Sequence, residues 1–104
     1  MTTCSVEIIN PLGLHARAAA KFVHVASRFL SSIRVSRLGR EMDGKSIMGL
    51  LLLSAAQGTD ITISADGSDE RDAIAALCDL VHRGFDEGSA EPGRPAVRQD
   101  TTCD

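Results

Sequence analysis

The chain of 104 residues has no tryptophan or tyrosine, and its three phenylalanines leave aromatics at 3%. Its core must therefore be aliphatic, and the stacking platform of an RNA-binding α+β domain is missing. Basic charge is also in short supply. Eleven Lys and Arg against fourteen Asp and Glu give a net charge of −3, which argues against nucleic acid or an anionic membrane as partner. Cysteine is sparse: Cys4, Cys78 and Cys103 are odd in number and far apart. No C-x-x-C or mixed Cys/His spacing suggests zinc or another metal, and a disulfide framework is not expected. No basic stretch precedes an apolar h-region, and no apolar run approaches membrane-spanning length, so a cytoplasmic protein is expected. No cofactor fingerprint is present. His15 and Arg17 without an acid/base partner make a poor autonomous active site.

A hydrophobic content of 43% suits one small domain, expected over residues 1–88. Residues 89–104, with Pro92, Gly93 and Pro95, are expected to form a disordered tail. Along residues 4–9, Cys4, Val6 and Ile8 alternate with Ser5 and Glu7, predicting a half-buried strand that Asn10-Pro11-Leu12-Gly13 ends. Ala19, Phe22, Val23, Ala26 and Leu30 recur at helical spacing and predict a helix over 16–28. Ile33 and Val35 mark a second strand reaching Leu38. Gly39 turns the chain into a short charged strand over 41–43, suited to an edge. Ser46 caps a helix beginning at Ile47, and Gln57-Gly58 is expected to close it. Residues 59–65 alternate cleanly as a fourth strand. Ser68 is the expected cap of a last helix, with Asp69, Glu70 and Asp72 in its first turn and Ile74, Leu77 and Val81 as its stripe. Gly84 ends that helix, and Phe85 folds back on it.

The order is βαββαβα, and every strand has its apolar residues on one face. This predicts an α+β open-faced sandwich, a four-stranded antiparallel sheet with three helices on one face.

Two stretches point to chemistry. Gly13-Leu14-His15-Ala16-Arg17 runs into Ala18-Ala19-Ala20-Lys21-Phe22-Val23, so a histidine stands where an alanine-rich helix begins. There the amides lack intrahelical partners and the helix dipole is positive, a setting that favours a neutral imidazole and a nearby phosphate. For a lone histidine the simpler reading is a helix cap. The second stretch, Gly44-Lys45-Ser46-Ile47-Met48-Gly49, leads into a leucine run. Ser46 by itself reads as a cap, and Ile47, Met48 and Leu51 as core. Yet a short helix cannot bury all its apolar residues, so some should remain exposed, while Leu50 and Leu53 pack inward.

With both motifs in register and Gln57-Gly58-Thr59 before the last strand, residues 4–87 resemble the HPr histidine phosphocarriers of the bacterial phosphoenolpyruvate-dependent phosphotransferase system. The resemblance implies that His15 takes a phosphoryl group on Nδ1 from Enzyme I and passes it to an EIIA-type protein. Arg17 would stabilise the phosphoryl oxygens. Ser46 would be a regulatory phosphorylation site for an HPr serine kinase/phosphorylase. Ala20, Ile47, Met48 and Leu51 would form the docking surface. The protein would be a monomeric carrier without cofactor, a substrate of other enzymes serving sugar transport or regulation. Gly84-Phe85-Asp86-Glu87 is similar to the nitrogen-related branch, NPr. The family usually carries proline just after the arginine. Ala18 stands there instead, relaxing the helix start by under ~1 kcal/mol. The alternative is an HPr-like regulatory module that transfers nothing. A related branch of that kind replaces the active histidine, so His15 with Arg17 counts against it.

Overall fold

The alternating residues of the sequence become a four-stranded antiparallel sheet in the computed structural model, which describes residues 1–86. The elements are β1 (Thr2–Glu7), α1 (Ala16–Ala26), β2 (Ser32–Arg37), β3 (Arg40–Asp43), α2 (Ile47–Leu52), β4 (Asp60–Asp66) and α3 (Glu70–His82), followed by a tight turn, Gly84–Asp86. The sheet order is β1-β4-β2-β3. The predicted edge position of β3 is therefore met, and β1 forms the other edge. The expected boundary at residue 88 and the tail over 89–104 lie outside the described residues.

Register explains why one face is apolar. Ile63 of β4 stands opposite Cys4 of β1 and Val35 of β2, while Ala65 stands opposite Ile33. Ile33, Val35, Ile61, Ile63 and Ala65 are buried. Against this face pack Ala18, Ala19, Phe22 and Ala26 of α1, Leu50 of α2 and Ala73, Ile74, Leu77, Leu80 and Val81 of α3. The core is aliphatic apart from Phe22 and Phe85. Burial of apolar surface at roughly 25 cal/mol per Å² supplies most of the stabilisation. Phe85 is fully buried behind Gly84, whose φ is +65°, as expected of a glycine that turns the chain back.

Four local expectations are corrected. β1 starts two residues earlier than the alternation suggested, because Thr2 and Thr3 continue its ladder to Ala65 and Ser64. The first helix stops at Ala26 rather than at residue 28, and Leu30 is 87% exposed instead of lying on its inner stripe. The chain tightens there: Arg28 N–H donates to Val25 O and Phe29 N–H to Ala26 O. The Asp69 carboxylate then accepts from Leu30 N–H at 2.8 Å and Ser31 N–H at 3.0 Å, turning Leu30 outward.

α2 ends at Leu52, well before Gly58. Ser54 takes the left-handed conformation (φ +52°), and guanidinium groups from the β2–β3 hairpin finish the helix. Arg40 donates to Leu52 O and Arg37 to Leu53 O, each at 3.0 Å, which satisfies carbonyls that a longer helix would have used. Gly58 belongs to a separate turn, where its N–H donates to Ile8 O at 2.7 Å. The N-cap of α3 is Asp69 rather than Ser68. Its side chain is occupied by Leu30 and Ser31, and Glu70 instead accepts from Gly67 N–H at 3.1 Å.

Candidate functional site

The loop from β1 to α1 is held from both sides. Buried Asn10 donates through Nδ2 to Gly13 O at 2.7 Å, and Gly13 N–H donates to Asn10 O at 3.0 Å. Leu14 is 5% exposed, and its N–H donates to Ala55 O at 2.8 Å. Gly13 has φ +69°, and a Cβ there would lie 2.6 Å from Ala55 O. Only glycine meets both demands.

This anchoring delivers His15 to the N-cap of α1, with extended backbone at φ −87° and ψ −177°. Its carbonyl accepts from Ala19 N–H at 2.8 Å. Its Nδ1 accepts from Arg17 N–H at 3.2 Å. The ring nitrogen nearest the helix therefore carries a lone pair rather than a proton. No acidic residue lies in the first turn of α1. Half-buried His15 is followed by exposed Ala16 and Arg17 and fully buried Ala18. Ala18 packs directly on the core.

Beyond Arg17 the surface is basic. Arg17, Lys21, His24, Arg28 and Arg83 line an open groove of about 500 Å³ beside α1. Lys21 also donates to Phe85 O at 2.7 Å, fastening the turn after α3 to α1. His24 and His82 are exposed.

Ser46 caps α2 as expected: its Oγ accepts from Gly49 N–H at 3.0 Å, and its carbonyl from Leu50 N–H at 3.1 Å. Lys45 reaches across to Phe29 O at 2.8 Å. α2 packs on α1, bringing the second motif's helix against the first's. Ile47 is 42% exposed and Met48 67% exposed, Ala20 is exposed, and Leu50 and Leu53 are buried. Leu51 is half-buried and packs against the core, so it offers less surface than its neighbours. Leu52 and Leu12, 52% and 75% exposed, are not among the docking residues that the resemblance implies. Leu52 lies one helical turn after Met48 and shares its outward face. Leu12 lies between Pro11 and Gly13 in the loop from β1 to α1.

Among the described residues no group of three or more His, Cys, Asp or Glu is placed to hold a metal ion, and no helix is long and apolar enough to cross a membrane.

The chain matches the family model described as the PTS HPr component phosphorylation site over residues 2–83. It is 52% identical over 84 residues to the phosphocarrier protein HPr of Neisseria meningitidis serogroup A, a match covering 81% of this chain and 94% of that protein. Among solved structures, HPr-C-His from Thermoanaerobacter tengcongensis superposes with a TM-score of 0.81 at 46% identity, covering 84% of this chain and 98% of that one. An HPr dimer from the same organism aligns with a TM-score of 0.66 at 46% identity, covering 82% and 98%. A histidine capping the start of a helix, the four-stranded sheet beneath it and matches spanning nearly the whole of these relatives lead to one conclusion: this chain belongs to the HPr phosphocarrier family of the phosphotransferase system.

Proposed function

We propose that His15 is the phosphoryl carrier, receiving the group on Nδ1 from a phosphohistidine of Enzyme I and yielding it to a histidine of an EIIA-type protein. The observation that carries this reading is the hydrogen bond from Arg17 N–H to His15 Nδ1. It holds the lone pair at the positive end of α1. When Nδ1 attacks phosphorus, the donor's N–P bond breaks and its electron pair returns to the donor imidazole. The Arg17 amide, released from Nδ1, then points at a phosphoryl oxygen, and the remaining first-turn amides add their dipoles. The Arg17 guanidinium supplies charge to the same oxygens. Transfer is loose and in-line, so positioning and charge account for most of the protein's contribution. No carboxylate lies in the first turn of α1 to activate water, which suits a group that must be held rather than hydrolysed.

Docking is assigned to Ala20, Ile47 and Met48, with Leu51 behind them. This apolar patch lies next to basic α1 and would meet an apolar, acid-rimmed partner surface. Ser46 is assigned a regulatory role: a phosphate placed there by a serine kinase is tolerated by the helix N-terminus but adds negative charge beside the patch. The protein acts as a cytoplasmic monomer and as a substrate of other enzymes.

The test is intact mass after incubation with Enzyme I and phosphoenolpyruvate. One acid-labile phosphoryl group, absent in His15→Ala, is expected. If folded wild-type protein takes up none beside an active cognate Enzyme I, the chain is instead a regulatory binding module of the same fold.

A further inference from the structure

Two thiols on the far side of the sheet's β1 edge take no part in the phosphoryl chemistry. Cys4 lies on β1 and Cys78 on α3, which packs over that strand. Both are free and half-buried, and both pack against the core. They line one open groove of about 480 Å³ together with Glu7, Asp79 and His82. Burial first, and then the neighbouring Cys4 thiol through hydrogen bonding and charge, pushes the Cys78 thiol up to about 12. Both thiols thus face the same groove, one from the strand and one from the helix packed over it.

We infer that Cys4 and Cys78 form an oxidisable dithiol, which hydrogen peroxide converts to an intramolecular disulfide joining the first strand to the last helix. Three features support this chemistry. The groove is open, so a small oxidant reaches it. β1 is an edge strand, bonded to β4 on one side only, and can shift to meet the bond geometry that a disulfide demands. The link closes a loop spanning most of the domain, and long loops gain most from closure in the chain-entropy view.

The step balances simply. The Cys4 thiolate attacks one peroxide oxygen, the O–O bond breaks, and water leaves behind a Cys4 sulfenic acid. The Cys78 sulfur then displaces the sulfenic oxygen as a second water, losing its proton and forming the S–S bond. Two thiols give up two electrons and two protons, and one peroxide becomes two waters. Cys78, holding its proton tightly, is the resolving partner, and Cys4 reacts first.

The experiment uses the full chain with Cys103→Ser, so that only this pair remains. After peroxide treatment and alkylation of the residual thiols, the protein is expected to be about 2 Da lighter than its untreated, unalkylated form and to carry no alkyl group. Trypsin should then release peptide 1–17 joined to peptide 72–83. With Cys78→Ala added, the link disappears and a sulfenic-acid trap labels Cys4. Full alkylation of both cysteines after oxidation, or disulfides found only between molecules, overturns the proposal.

Discussion

Leu14 N–H donates to Ala55 O at 2.8 Å, so the residue before His15 hangs from the segment that leaves α2. The first motif is thus set in place by the segment that follows the second motif's helix, and Gly13 is the residue whose absent side chain permits the approach. Gly13→Ala puts a methyl group 2.6 Å from Ala55 O at a φ of +69°. The substitution is expected to cost about 1–3 kcal/mol of stability. It should also slow phosphoryl uptake by roughly tenfold or more through misplacement of His15. Urea midpoints and single-turnover transfer rates check both effects. A variant with unchanged rate and stability would show that the loop adapts.

Ser46 separates capping from regulation. Ser46→Ala loses the acceptor for Gly49 N–H and should destabilise by about 1 kcal/mol. Ser46→Asp keeps an acceptor and should stay within about 0.5 kcal/mol of wild type. Its transfer from Enzyme I should nevertheless fall roughly tenfold, and less so at high salt, since the added charge repels an acidic partner. Equal transfer by both variants removes the regulatory assignment.

The exposed and buried faces of α2 predict opposite outcomes. Met48 is 67% exposed, so Met48→Glu should leave the unfolding midpoint within about 0.5 kcal/mol of wild type while weakening transfer roughly tenfold. Leu50 is 0% exposed, and Leu50→Ala should cost about 2–5 kcal/mol by opening a cavity. Denaturation beside transfer kinetics for the two variants tests whether this helix divides its faces between partner and core.

Acid should loosen the β1–α3 contact. Thr2 Oγ1 donates to Glu70 at 2.6 Å, Gly67 N–H donates at 3.1 Å, and the Met1 ammonium lies at 3.1 Å. These partners, Thr2 foremost, lower the Glu70 carboxyl from an ordinary 4.5 to about 2. A carboxyl depressed on folding contributes stability that is complete above 4.5 and is lost as pH falls from there through about 2. Glu70→Gln should flatten part of the pH dependence of the urea midpoint in that window. Asp69, lowered chiefly by the Ser31 hydroxyl, supplies a further part that survives the substitution. Coincident pH profiles would assign no role to Glu70.

Strands and the helix start at His15 were legible because their signals are local. Alternation in residues 61–65 and the glycine before His15 depend only on neighbours in the chain. The ends of helices were not local. α2 stops where Arg37 and Arg40 reach its last carbonyls, and α3 begins without Ser68 because Asp69 serves the distant Leu30–Ser31 turn. Leu30 fits the helical stripe by spacing and leaves it by tertiary hydrogen bonding. Within the site, the residue types were readable from sequence. That His15 Nδ1 receives the Arg17 amide, and that Leu51 is mostly turned to the core, required coordinates.

The sheet order also governs when the site can exist during synthesis. β4 lies between β1 and β2 and pairs with both, yet it is the last strand to be made. Until residues 60–66 emerge, β1 has no neighbour and only the β2–β3 hairpin can close. His15, encoded near the beginning, therefore stays without its scaffold while most of the domain is translated. A nascent chain halted before Asp60 should expose His15 on an unassembled segment, so the setting of this histidine arrives late and all at once.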